Sequence, residues 1–412
     1  MQRLRLNHKL GGLMRVKGGT PLERFKALGN GNKSLYNTLL KGLKQKHFPK
    51  VFELLIDIGC NQQCVHCFLG QTKNRTISTS ENSIRIGNIL LENHYGIIPY
   101  PTEPLMSEDS FSTYVRFLSK GADFLTNGSA PLTLEPINTL LKRFVENKVK
   151  VIRISLHGAT EQTHEAITRT SGSFKATLSF IKKIGQKLKK FISELILTTV
   201  INRQNISELD DIFKIAVQNN IKHITTLKIM ESYQSEIPQK MIMNKEATIE
   251  ALLEINRLRI KYRGQLHIEL GQSWGPNFHN PGIWKYLAHQ ARIAQFVPYC
   301  FAIGFWLTIH PEKREIYPCM TMSGLPELKI GDFIEKSHEI QFNTLGNQLL
   351  KWHQEWPEKA KSSCAIDVCQ YSEICHGGCR AAAIMKILKK GAEPDWFAPF
   401  PNCQTRILKE LS

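Results

Sequence analysis

The sequence predicts an α/β protein whose parallel strands alternate with helices, followed by a cysteine-rich C-terminal portion. Two observations carry this. From about residue 51, short β-rich runs alternate with stretches of helical spacing about six times, and such alternation calls for parallel strands joined by helical crossovers. The ten cysteines fall in two sets, three within Cys60–Cys67 and seven between Cys300 and Cys403, with none between them. A barrel and an open doubly wound sheet both satisfy the alternation.

The predicted strands are VFELLIDI (51–58), YGIIPY (95–100), ADFLTNG (122–128), VKVIRISL (149–156), ELILTTVI (194–201) and HITTLKIM (223–230). Between them, SFSTYVRFLSK, PINTLLKRFVENK, SFKATLSFIKKI and SELDDIFKIAVQNN carry apolar residues at helical spacing. Several open on Ser or Pro, which suits a helix start. Residues 231–298 read as helices and loops with aromatics (Trp274, Phe278, Trp284) and no strand rhythm. From Cys300, IGFWLTIHP and REIYPC read as a hairpin-like pair ahead of short cysteine-rich loops. The expected organisation is a basic segment (1–50), a β/α core (51–230), a helical and aromatic bridge (231–298) and a cysteine-rich domain (299–412).

Apolar residues at 42% and charged residues at 22% are the balance of an ordinary globular protein. The net charge of +18 is uneven: residues 1–50 hold twelve Lys or Arg against one acid, Glu23. Such an arm attracts acidic partners and does so less at high salt. A solvated tail and an Arg-rich targeting segment are the competing readings, and the scarcity of aromatics for stacking bases argues against nucleic acid. No apolar run reaches the roughly 18 residues that span a bilayer, and no secretory signal is seen. The expectation is a cytoplasmic protein with no membrane partner, in which disulfides explain the cysteines poorly.

The segment CNQQCVHC sets Cys60, Cys64 and Cys67 in a C-x3-C-x2-C loop directly after the first strand. In a barrel, chemistry gathers at that end of the strands. Thiolates are the usual ligands of iron–sulfur clusters, and three of them leave one iron of a cubane open to a substrate or cofactor. A zinc site would need a distant fourth ligand.

In this loop the chain resembles the radical S-adenosylmethionine (SAM) superfamily. The resemblance implies a partial (β/α)6 TIM-like barrel over about 51–230 and a [4Fe-4S] cluster with an open site. It also implies S-adenosyl-L-methionine bound there and cleaved reductively to a 5′-deoxyadenosyl radical, which takes a hydrogen atom from substrate. PTEPL (101–105) stands where the family carries a Gly-Gly-Glu-Pro-like segment; it keeps Glu103 for the SAM ammonium and replaces the glycines with Pro101 and Thr102. TNG (126–128) resembles the third strand end. ISLHGATEQTHEAI (154–167) resembles the fourth, with Ser155 on the ribose or carboxylate, and TVINRQN (199–205) resembles the fifth, with Asn205. His66 takes the position beside the adenine, and Arg169 is the candidate carboxylate partner.

The C-terminal cysteines resemble the SPASM extension of that superfamily. CQYSEICHGGC (369–379) has its C-x5-C-x3-C spacing, although Cys364 is four residues removed from Cys369 instead of two, and Arg314 replaces a glycine before Cys319. The resemblance implies one or two auxiliary [4Fe-4S] clusters, the inner on Cys300, Cys319 and Cys379 and the outer on Cys364, Cys369, Cys375 and Cys403. A zinc-ribbon-like domain is the alternative.

The members most resembled modify ribosomally made peptides. The implied partners are a precursor peptide or protein substrate and a reductant protein such as flavodoxin or ferredoxin. Sulfatase maturases carry an Asp after the second SPASM cysteine, where this chain has Met320. Oxidation of a small molecule or a tetrapyrrole side chain remains open. So does a non-catalytic electron carrier, which would normally complete its fourth ligand. No catalytic acid, base or hydrogen donor is assigned from sequence.

Overall fold

The computed structural model describes residues 51–56, 59–69, 81–118, 123–192, 194–230, 235–274, 306–349, 378–388, 391–396, 398 and 403. Two runs of parallel strands form the partial barrel. β1 (Val51–Ile56) pairs with β2 (Gly96–Pro101). β3 (Asp123–Thr126), β4 (Val151–Ser155), β5 (Glu194–Ile201), β6 (His223–Lys228) and β7 (His267–Leu270) pair in order. The crossovers are α1 (Glu81–Glu92), α2 (Glu108–Phe117), α3 (Ile137–Glu146), α4 (Glu161–Thr168), α5 (Ser173–Phe191), α6 (Leu209–Gln218) and α7 (Lys245–Lys261).

The six strands expected from sequence stand where they were read, within a few residues at their ends. The difference is β7, a seventh parallel strand in the 231–298 stretch that sequence reads as helices and loops. Its four residues, HIEL, include only two apolar side chains. That is too few to register as a strand rhythm.

Side-chain alternation decides what each strand face meets. Phe124, Ile152, Ile154, Leu195, Leu197, Ile224 and Ile268 pack with helix residues such as Leu140, Phe144, Phe180 and Ile212 in one apolar cluster. Within it, Phe124 meets Tyr114 and Phe144 edge-on at 5.2 and 5.0 Å. A fully buried Phe of this kind contributes about 1.5–3 kcal/mol.

The alternate residues of the same strands face inward, and several of them are polar. Arg153 pairs with Asp123 at 2.7 Å and donates to Thr225 Oγ1 at 2.6 Å. Thr225 donates to Glu269, and His223 lies between Glu194 at 3.0 Å and Glu269 at 3.3 Å. This chain of contacts crosses the interior from β3 to β7.

The predicted hairpin is β8 (Trp306–His310) with β9 (Glu315–Tyr317), antiparallel as expected. It does not stand apart from the barrel: β8 pairs in parallel with β1, Val51 opposite Trp306. β10 (Gly331–Ile334) and β11 (Glu339–Phe342) continue that sheet, and α8 (Arg380–Leu388) packs on it through Ala381, Ile384 and Met385. Among the described residues no helix is long and apolar enough to cross a membrane.

Candidate active site

The loop after β1 is shaped by Gly59, whose φ of +80° suits a residue without a Cβ. Its carbonyl accepts from the Glu103 backbone N–H at 3.0 Å and from the Thr102 hydroxyl. Thr102 therefore anchors the cysteine loop to the end of β2. On its other side the loop is clipped to α4, with Gln63 N–H donating to Thr168 O and Val65 N–H to Ile167 O.

Cys60, Cys64 and Cys67 sit on this loop, each partly buried. Burial, followed by the charges of Cys60 and Cys67, pushes the Cys64 thiol well above its usual range, so the three sulfurs stand within electrostatic reach of one another. Cys60 Sγ accepts from Gln62 N–H at 3.4 Å and Asn127 Nδ2 at 3.8 Å. Among the described residues no three His, Cys, Asp or Glu side chains converge as one bound metal ion requires. A cubane takes its thiolates from separate irons and spreads them more widely. Three neighbouring thiols on one loop, beside a buried His66 Nδ1 that lacks a hydrogen-bond partner, fit a cluster held by three protein ligands.

Glu103 closes the gap between β2 and β3. It is only 1% exposed. Oε1 accepts from Leu105 N–H at 3.0 Å and Thr126 Oγ1 at 2.8 Å, while Oε2 accepts from Asn127 N–H at 2.6 Å. Burial nevertheless raises its carboxyl to about 7. A carboxylate so desolvated gains from a cationic neighbour.

Asn127 is the residue that sequence reasoning left out. Besides Cys60, its Nδ2 donates to Asn61 Oδ1 at 2.8 Å, and its Oδ1 accepts from Ser129 N–H at 2.8 Å. Asn61 and Gln62 in turn donate to Ser129 at 2.9 Å. The third strand end thus grips the first half of the cysteine loop. TNGS carries no local signal for this, because its partners lie more than sixty residues earlier.

The other predicted residues are spread around this centre. Ser155 ends β4, half-buried, on the interior side with Arg153. His66 meets the His157 ring edge-on at 4.9 Å, and burial lowers it to about 4. His157 and His164 are likewise held neutral by burial, each accepting a backbone N–H at Nδ1. The His157 and His164 rings stack at 5.9 Å, and Gly158 lets the chain approach there, since a Cβ would stand 2.6 Å from the His164 backbone nitrogen. Asn205 is fully buried and spends its amide on the His157 and Val200 carbonyls at 2.8 and 2.9 Å. As placed, it braces the ends of β4 and β5. Arg169 caps α4 in a left-handed conformation beside the cysteine loop and pairs with Glu236 at 2.8 Å.

Of the C-terminal set, Cys319 and Cys379 border the apolar cluster beneath β1 and β8, and Cys403 is partly buried. Cys300, Cys364, Cys369 and Cys375 lie outside the described residues. Arg380, fully buried, reaches the carbonyls of Gly378, Trp396 and Ala398.

Streptococcus suis SuiB solved with S-adenosylmethionine matches 93% of the chain and 83% of its own length, at 14% identity and a TM-score of 0.58. SuiB solved with precursor peptide SuiA matches at 0.59 over 94% of the chain. anSMEcpe with bound AdoMet matches 87% of the chain and 95% of its own length, at 15% identity and 0.57. The chain has the radical SAM fold.

In this chain the three-cysteine loop stands at the C-terminal end of β1. In sequence, the chain is 24% identical over 176 residues to the AdoMet-dependent heme synthase of Methanosarcina barkeri, a match spanning 41% of this chain and just under half (47%) of that relative. No protein-family model matches the chain.

Proposed function

We propose that this protein is a radical SAM enzyme that modifies a ribosomally made peptide or protein. The observation that carries the reading is the cysteine loop itself: three thiols on one short loop, held by Gly59, Thr102 and Asn127 at the mouth of a radical SAM fold. When bound, a [4Fe-4S] cluster would supply the electron that cleaves S-adenosylmethionine to a 5′-deoxyadenosyl radical. Cys60, Cys64 and Cys67 would hold it.

The chain's own residues do the rest. Glu103 receives the SAM ammonium, its carboxylate already aimed by Thr126 and Asn127. His66, neutral and braced edge-on by the His157 ring, is offered to the adenine ring. Ser155 and Arg169 stand on the β4 side for the ribose and carboxylate. The C-terminal cysteines are assigned to one or two auxiliary clusters and a flavodoxin or ferredoxin to the reductant role. Substrate passes into the interior bounded by β1, β2 and β8.

The peptide reading draws support from the likeness to SuiB, solved with a precursor peptide, and to anSMEcpe, solved with the Cp18Cys and Kp18Cys peptides. Met320 after Cys319 argues against sulfatase maturation. A second reading, oxidation of a tetrapyrrole side chain, draws on the heme-synthase relative. Coexpression with short precursor peptides, followed by mass spectrometry, tests the first. A peptide mass change that depends on Cys64 supports it. No change in any peptide, alongside oxidation of a tetrapyrrole side chain by the purified protein, moves the assignment to the second.

A further inference from the structure

Leu125 is 44% exposed in a strand, β3, whose other residues are buried. Its neighbours fix its direction. Phe124 points to the helices, against Phe111, Tyr114 and Phe144. Asp123 points into the barrel, where it receives the Arg153 guanidinium. Alternation puts Leu125 on the Asp123 side, and in the ladder it stands opposite Arg153 of β4. A leucine nearly half open on the inward face marks reachable, unfilled space in the barrel interior at this level.

Height, wall and charge define that space. Asn127, two residues further along, reaches Cys60 with its side chain, so Leu125 lies roughly 7 Å beneath the meeting of β3 with the cysteine loop. Beside it, β2 and β3 are the facing edges of two sheets, with no ladder between them among the described residues. There the Tyr114 hydroxyl accepts the Leu125 backbone N–H and donates to the Asp123 carbonyl at 3.4 Å. The backbone groups of this edge are thereby occupied. The charges are occupied too: Arg153 is held by Asp123 at 2.7 Å, Thr225 at 2.6 Å and Thr198 at 3.3 Å. Glu53, the acid of β1, is buried and held by the Thr308 hydroxyl and the Met320 N–H. An ion entering at Leu125 would shed water without meeting an open counter-charge on β3 or β4, which is costly. An apolar group gains by covering the leucine.

We propose that Leu125 selects the substrate residue: the interior seats an aliphatic or aromatic side chain of the peptide on it, beneath the cysteine loop. This rests on the radical SAM peptide reading and names the side-chain class that the reading leaves open. The size accepted is set by residue 125 itself.

The test uses the full chain, iron-loaded and oxygen-free, with the N-acetyl amides of leucine, phenylalanine, glutamate and lysine as probes. Binding is read by saturation-transfer NMR, with and without S-adenosylmethionine. The wild type is expected to bind the leucine and phenylalanine amides saturably and at least about tenfold more tightly than the charged pair, a factor that covering the open part of one leucine supplies. Leu125→Ala enlarges the seat and is expected to raise the preference for phenylalanine over leucine; Leu125→Phe fills it and is expected to lower that preference. A purely structural role would change stability and leave the ratio alone. Charged amides bound as well as apolar ones, no saturable binding of any amide, displacement of the amides by S-adenosylmethionine, or an unchanged ratio in both variants would overturn the proposal. S-adenosylmethionine affinity is measured on the same samples by calorimetry. If the wild type binds none, the radical reading fails, while the amide ratios taken without it still decide Leu125.

Discussion

Glu103 and Asn127 meet across the tops of β2 and β3, where the Asn127 backbone N–H donates to Glu103 Oε2 at 2.6 Å. The same Asn127 reaches Cys60 with its side chain. One residue thus couples the proposed ammonium-binding carboxylate to the cysteine loop. Glu103→Gln replaces an anionic acceptor with an amide. Hydrogen bonds to charged groups contribute about 1.5–3 kcal/mol, so S-adenosylmethionine binding to reconstituted protein is expected to weaken about 10–100-fold by calorimetry. Unchanged affinity would remove Glu103 from the site.

Glu53 makes stability fall with rising pH. Its folded value, about 7, lies above the ordinary 4.5, so between these values the folded state binds more protons than the unfolded state. The contribution is complete below about 4.5 and is lost as pH rises through about 7, amounting to about 3 kcal/mol. Urea unfolding at stepped pH is expected to show this slope in the wild type and not in Glu53→Gln. Parallel slopes would contradict it.

His223 has a raised value too, set by burial against it and by the Glu194 and Glu269 contacts that outweigh burial. An imidazolium stabilised by two carboxylates holds β5, β6 and β7 together below the ordinary 6.5, and that support is lost as pH climbs through the raised folded value. Hydrogen exchange of the β7 amides is expected to quicken above that point. In His223→Gln the exchange is expected to be fast at every pH.

Gly158 stands where the β4 loop passes the start of α4. A methyl group there meets backbone nitrogen at 2.6 Å and the Thr163 Cβ at 2.9 Å, neither of which is a flexible side-chain end. Gly158→Ala is expected to cost about 1–3 kcal/mol, read as a lower melting temperature. A variant as stable as the wild type would show that the histidine stack does not need this approach.

The strands were legible because burial on a helix-covered face leaves apolar runs such as ELILTTVI, and their order follows from the crossovers. β7 was not, because His267 is exposed and Glu269 belongs to the polar network, which leaves too little apolar pattern. The cysteine loop announced itself by spacing alone. Asn127 and Glu53 did not, since their partners lie far along the chain: Cys60 for the first, Thr308 and Met320 for the second. Thr102 looked like a departure from the family segment, and its hydroxyl turns out to anchor Gly59. Asn205 and Arg169 have motif positions, and in the fold Asn205 donates to the His157 and Val200 carbonyls while Arg169 pairs with Glu236.

The central claim is tested most directly by 5′-deoxyadenosine. Iron-loaded, oxygen-free protein is incubated with S-adenosylmethionine and dithionite, and the nucleoside is quantified for the wild type and for Cys60→Ser, Cys64→Ser and Cys67→Ser. The account predicts formation by the wild type and loss in each variant. No nucleoside from fully loaded wild type, or equal yields from the variants, would contradict it.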